Sequence, residues 1–162
     1  MISSSAKKGD NVYVYCYNNK TGKLNEIANS KRKVLNGRKV TFESYSGNDY
    51  VITNKELSGK NVVTLLGDTK IKAGKASVKK GGKTKISVVL PEGLVSKTSL
   101  KKNVPYGKQA AVIKYKSSDT KVAKVSKDGT VKAAGKGQAV ITVQVKLADG
   151  KVKTVKKKIT VK

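Results

Sequence analysis

The sequence predicts an all-β protein: a small antiparallel β unit over residues 1–67, then an antiparallel β-sandwich over residues 68–162. Three observations predict it. Apolar residues recur with period two, and helical periodicity is hard to find. Gly-containing turn signals interrupt the alternation roughly every ten residues, the spacing of short strands joined by hairpins. Hydrophobic residues make up 37% of the 162 residues, with 5% aromatic. Most are Val, Ile, Leu and Ala, and a branched Cβ suits a pleated surface. A chain of this length holds one ordinary domain or two small ones.

In the first unit, "NVYVYCY" sets Val12, Val14 and Cys16 against Tyr13, Tyr15 and Tyr17, so one set faces a core and the other a wetter side. "NNKTGK" turns the chain and "KLNEIA" gives a shorter, weaker strand. "KVLNGRKVTFESY" reads as a hairpin, with Asn36-Gly37 supplying the positive φ angles of a two-residue type I′ turn. "NDYVIT" adds another strand. A unit this small buries little core without disulfides, so it is expected to lack upstream strands or to pair with the second unit.

"LSGKNVVTLLGDTKIKAGKAS" is the transition, with the boundary placed near Gly67. In the second unit "GGKTKISVVLP" is a strand stopped by Pro91, and "EGLVSKTSLKKNVPYGKQ" is a long irregular connection with room for one short strand. "AAVIKYKSS" is a strand, and "KVAKVSKDGTVKAAG" a hairpin turning at Asp128-Gly129. "QAVITVQVKL" is a strong central strand with Ala139, Ile141, Val143, Val145 and Leu147 on one face. Asp149-Gly150 turns the chain into "KVKTVKKKITVK".

The stretch "YKSSDTKVAKVSKDGTVKAAGKGQAVITV", residues 115–143, followed by "ADGKVKTVKKKITV", resembles the bacterial immunoglobulin-like group 2 domain, the repeat of intimin- and invasin-type surface proteins. A Ser-Ser-Asp turn, a Val-Ala-x-Val strand, an Asp-Gly-x-Val hairpin and an Ala-x-x-x-Gly-x-Ala-x-Ile-x-Val strand occur in family order over residues 69–162. The family's usual Trp is replaced by Tyr115, and the connection from Pro91 to Ala110 is longer than usual. The first unit looks like β-rich segments that precede such domains in secreted proteins of anaerobic Gram-positive bacteria. The resemblance implies an Ig-like sandwich with no catalysis and no cofactor, acting as a structural or adhesion module. It also implies an extracellular or cell-surface location, with other domains of a longer parent chain as partners and a monomeric state for this segment. A phage tail or capsid decoration domain belongs to the same Ig-like group.

Formal net charge is +26, unevenly placed: residues 1–67 carry +6 and residues 68–162 carry +20. That field draws polyanions in a salt-dependent way. Arg32 and Arg38 are the two arginines, and every other basic residue is lysine. Sequence-specific nucleic-acid binding is therefore disfavoured, because it leans on the planar guanidinium fork. Lysine on strands also blunts sheet edges. The alternative functional reading is a polyanion- or glycan-binding module, with cell-wall polymer or host glycan as partner. Its candidate contacts are Lys151, Lys153, Lys156 and Lys158, with Tyr13, Tyr15 and Tyr17 as a candidate stacking platform.

Chemical sites are few. There is no His and there are ten acids, so a nucleophile finds no base but lysine, and no catalytic residues are assigned. Cys16 is the single cysteine and reads as a small strand hydrophobe. Asp119, Asp128 and Asp149 each fall in a turn that explains them, so no metal site is assigned. "KAAGKGQA" lacks the Gly-Lys-Ser/Thr ending of a phosphate loop and reads as a turn. "MISSSAKKGD" has no apolar core of a signal peptide, and no apolar run is long enough to span a bilayer.

Overall fold

The computed structural model describes residues 6–42, 49–99 and 108–162. Its regular structure is β throughout, apart from two three-residue 3₁₀ turns at Asn36–Arg38 and Lys97–Ser99. The first unit contains β1 (Asn11–Asn18), β2 (Lys23–Lys33), β3 (Asp49–Thr53) and β4 (Val62–Val63), in sheet order β3-β1-β2-β4. β1 pairs antiparallel with both neighbours, while the short β4 runs parallel to β2. Among its described residues up to the end of β4, Val12, Val14, Tyr15, Ile27 and Val34 are the buried hydrophobic ones.

Two expectations for this unit change. β2 is the longer strand of its pair, and it carries an irregularity: Tyr13 faces Lys31 but Tyr15 faces Glu26. The extra residues are absorbed on β2, where Asn29 takes φ 56. At the expected type I′ hairpin, positive φ falls on Gly37 and Arg38, one position later than Asn36-Gly37. A three-residue 3₁₀ turn closes on the single bridge Leu35↔Lys39. The following "TFESY" leaves the described residues after Phe42, whose ring meets Tyr50 at 5.0 Å.

The second unit is built from β5 (Lys70–Ala73), β6 (Ser77–Val78), β7 (Lys83–Val89), β8 (Leu94–Ser96), β9 (Gln109–Ser117), β10 (Ala123–Val125), β11 (Thr130–Ala133), β12 (Gly137–Lys146) and β13 (Val152–Val161). They form two sheets, β10-β11-β7-β5 and β6-β13-β12-β9-β8. The short strand expected inside the long connection is β8, and it pairs parallel with β9. Residues 100–107 of that connection lie outside the described residues.

The sheets pack face to face. Ile86, Ala123 and Val131 of one meet Ala139, Ile141, Val143 and Ile159 of the other. All five predicted inward residues of the central strand, Ala139 through Leu147, are buried. The alternation worked there because each inward methyl-bearing side chain removes apolar area from water, at roughly 25 cal/mol per Å². Tyr115 is half-buried against the same core.

The "SSD" turn is held by side chains, as its residue types suggest. Ser117 Oγ donates to the Asp119 carbonyl at 3.0 Å, and Asp119 Oδ1 accepts from the Lys121 amide at 2.8 Å. Ser118 Oγ accepts from the Val140 amide at 2.8 Å, tying the turn to β12. At Gly129, φ is +84 and an added Cβ would lie 2.2 Å from the Ile86 carbonyl oxygen, so this turn requires glycine.

Candidate functional site

The segment between β4 and β5 is a folded plug. Thr64 to Thr69 closes on itself: the Asp68 amide donates to the Thr64 carbonyl at 3.0 Å, and the Thr69 hydroxyl to the Leu65 carbonyl at 2.6 Å. Asp68 Oδ2 accepts from the Thr64 amide at 2.7 Å. The plug delivers Leu65, fully buried, into a cluster with Leu94, Ala111, Val145 and Leu147 of the sandwich. The chain passes between units through hydrogen-bonded, packed backbone.

Charged side chains from both units converge on this plug. Glu26 of β2 uses both carboxylate oxygens: Oε2 accepts from the Leu65 amide at 3.1 Å, and Oε1 from Lys151 Nζ at 3.1 Å. Lys151 also lies 3.8 Å from Asp149. Asp149, with a side chain 4% exposed, accepts from the Asn29 amide at 3.3 Å, so the β12–β13 hairpin reaches the irregular part of β2. Burial works against the Lys151 ammonium, but the bond and charge of Glu26, with Asp149 and Glu56, outweigh it and leave its pKa raised. Lys153 Nζ donates to the carbonyls of Leu66, Gly67 and Thr69 at 2.8, 3.0 and 2.8 Å. A cation held by three carbonyls closes the C-terminal side of the plug much as a helix cap would. A cavity of about 250 Å³ remains beside it, lined by Tyr15, Glu26, Leu57 and Lys151 among others.

The four lysines proposed as polyanion contacts are thus divided. Lys151 and Lys153 are committed to internal partners at the junction. Lys156 and Lys158 are exposed and share the outer face of β13, opposite Thr142 and Val140 of β12. Alternation explains the split: Lys153, Val155 and Lys157 point one way and Lys156 and Lys158 the other.

The three tyrosines share one face of β1 but form no continuous platform. Tyr15 is buried at 2% exposure, and its hydroxyl accepts from the Leu57 amide at 2.8 Å. Burial is the main reason its pKa is raised. Tyr13 lies under Lys31 Nζ, 5.9 Å from the ring centroid, and Tyr17 is 38% exposed. Cys16 is half-buried, and burial pushes its thiol pKa up, with Asp49 adding to the shift.

The turn aspartates stay apart. Asp128 accepts from the hydroxyls of Ser126 and Thr130 and from Lys85 Nζ, and these bonds hold its carboxyl well below the usual carboxylate range. Among the described residues no group of three His, Cys, Asp or Glu side chains is placed to hold a metal ion. "KAAGKGQA" spans the end of β11, the turn at residues 134–136 and the start of β12, and the Gly135 amide donates to the Val122 carbonyl at 3.2 Å. A groove of about 550 Å³ opens beside Tyr115, with Lys85, Ser96, Ile113 and Asp128 on its walls. No described helix is long and apolar enough to cross a membrane.

Glu26, Asp149 and the plug carbonyls are the site residues the sequence did not reveal. Glu26 and Lys151 are 125 positions apart, and no local pattern links them. No protein-family model matches the chain, and no curated protein matches it.

Proposed function

We propose that this chain is a non-catalytic structural and adhesion module of a secreted or surface-attached bacterial protein. In this reading it spaces and presents neighbouring domains of a longer parent chain at the cell surface. The junction carries the reading: an ion-paired, carbonyl-capped plug makes two small β units behave as one stiff element. A spacer needs a fixed angle between its parts, and independently moving beads would not supply one.

Two further features support it. The order β10-β11-β7-β5 against β13-β12-β9 corresponds to the D-E-B-A and G-F-C sheets of an Ig constant-type sandwich, which favours the Ig-like group 2 reading. The load path also suits a tether. β6 and β13 run parallel, with the Thr160 amide donating to Ala76 at 2.8 Å and the Lys162 amide to Val78 at 3.0 Å. Tension entering through residues 68–78 and leaving through β13 shears these bonds together, where an antiparallel terminal pair would unzip. The non-catalytic part rests on the lack of His and the scattered acids.

Single-molecule pulling between handles at the two chain ends tests the reading. The expected trace shows a high-force rupture of the sandwich, lowered by Thr160→Pro, which removes the donor to Ala76. Unfolding at low force, unchanged by that substitution, would remove the case for a load-bearing spacer.

A further inference from the structure

The outer face of the β10-β11-β7-β5 sheet carries an arrangement that strand folding does not need. Lys132 on β11 lies directly opposite Lys124 on β10 and directly opposite Lys83 on β7. Three lysines therefore occupy one continuous row across three strands, and all three are exposed. Like charges directly opposed across a ladder are unfavourable. The inward partners of these strands, Ala123, Val131, Ala133 and Ile86, are what the core requires; the outward positions are free to be neutral, as Thr130 is.

No described side chain neutralises the row. Among the described residues no carboxylate lies within ion-pairing distance of Lys83, Lys124 or Lys132; on this face Asp128 pairs with Lys85, one row away. Edge protection accounts for Lys124, since β10 is an edge strand, but not for Lys132 and Lys83 on the interior strands β11 and β7. The Lys79–Gly82 turn adds to the field. It is fastened to the end of β11 by the Gly81 amide on the Ala133 carbonyl and the Ala133 amide on the Gly82 carbonyl, both 2.9 Å. Lys79 and Lys80 precede that attachment, and the Lys80 amide donates to the Lys162 carbonyl at 3.0 Å, so they sit where the chain crosses from β6 of the other sheet to β7, beside the Lys83 end of the row.

We propose that this face is a binding surface for an anionic polysaccharide, with the Lys83–Lys132–Lys124 row as its centre. A row spanning three strands, with neighbours about 4.8 Å apart, suits a linear chain of repeating charge better than a single small anion. Lysine supplies point charges without the bidentate fork of arginine, which fits diffuse charge on a flexible polymer. The strands that carry the row hold no aromatic residue, so the bases of a single-stranded nucleic acid would find no stacking platform. The site stands independently of the spacer reading and uses none of the lysines at the junction.

The test is titration of the full chain with fluorescently labelled heparin, as a sulfated polysaccharide probe, across a series of salt concentrations. Substituting Lys83, Lys124 and Lys132 together by Gln is expected to weaken binding at least tenfold and to lower the slope of log K against log salt by about 2. A control removing the same charge from the opposite sheet, Lys114→Gln with Lys116→Gln and Lys156→Gln, is expected to weaken it less than threefold. Lys132→Gln alone is expected to raise the melting temperature while weakening binding, because it relieves two opposed pairs. Equal losses in the two triple variants, or a lower melting temperature for Lys132→Gln, would overturn the proposal. So would an oligothymidylate of matched charge that binds more tightly than heparin.

Discussion

Replacing Lys153 by Met keeps the aliphatic stem and removes the ammonium that holds the Leu66, Gly67 and Thr69 carbonyls. A hydrogen bond to a charged group contributes about 1.5–3 kcal/mol net. The three bonds do not add in full. Gly67 is exposed and Leu66 half-exposed, so water can replace the lysine at their carbonyls. Thr69 is 1% exposed, so its carbonyl loses its bond to Lys153 with little water to replace it. One full bond and parts of two others give about 3 kcal/mol. For a chain of this size that lowers the melting temperature by roughly 6–12 °C. Chemical denaturation gives the free energy directly, and limited proteolysis at residues 64–69 reports whether the plug opens first. Lys157→Met is the matched control, because Lys157 faces the same side of β13, and it is expected to change stability by less than about 0.5 kcal/mol. A Lys153→Met protein as stable as its parent, with the plug equally protected, would refute the clamp.

Three other outcomes follow from single contacts. Gly129→Ala places a Cβ against the Ile86 carbonyl at a residue with φ +84, and is expected to destabilise by more than about 2 kcal/mol in a thermal melt. Tyr15→Phe deletes the acceptor of the Leu57 amide; the expected loss is about 1 kcal/mol, with faster hydrogen exchange at that amide. Asp128 has a folded-state pKa depressed chiefly by the Ser126 and Thr130 hydroxyls and then Lys85, so its stabilising contribution is complete above the ordinary aspartate pKa. It is lost as pH falls toward the depressed value. Asp128→Asn should therefore melt below the parent at pH 7 and still below it near pH 3, with the gap closing in stronger acid. A gap that closes by pH 4 would show that these bonds do not hold the carboxylate.

The sandwich was legible where one physical rule dominated. In β12 the two-residue alternation coincides with burial at each inward position from Ala139 to Val145, because the strand is central and one face meets a core. The turns at Gly129 and Gly150 were legible because backbone angles near φ +85 select glycine after aspartate. The parallel pairs β6–β13 and β2–β4 were not. Each is two residues long and is placed by distant packing, not by its own propensity. Asn36-Gly37 misled by one position, since Arg38 shares the left-handed conformation that a two-residue turn would have confined to Asn36 and Gly37.

The charges were harder to read than the strands. A run of lysines in "KVKTVKKKITVK" presents alternate members to opposite faces, and sequence does not say what waits on either side. Lys153 meets three carbonyls there, while Lys156 and Lys158 meet solvent. The lysine row on β10, β11 and β7 was invisible for the same reason: its members come from positions 83, 124 and 132, and only the register brings them opposite one another.

The claim that the junction makes the two units one stiff element is tested most directly by a distance distribution across it. Spin labels at Lys20→Cys and Lys127→Cys, in a chain with Cys16→Ser, place one probe on an exposed turn of each unit. Pulsed dipolar spectroscopy is expected to give a single narrow distribution, broadened when Glu26→Gln and Lys153→Met are introduced together. A broad distribution in the chain with its junction intact would contradict the account.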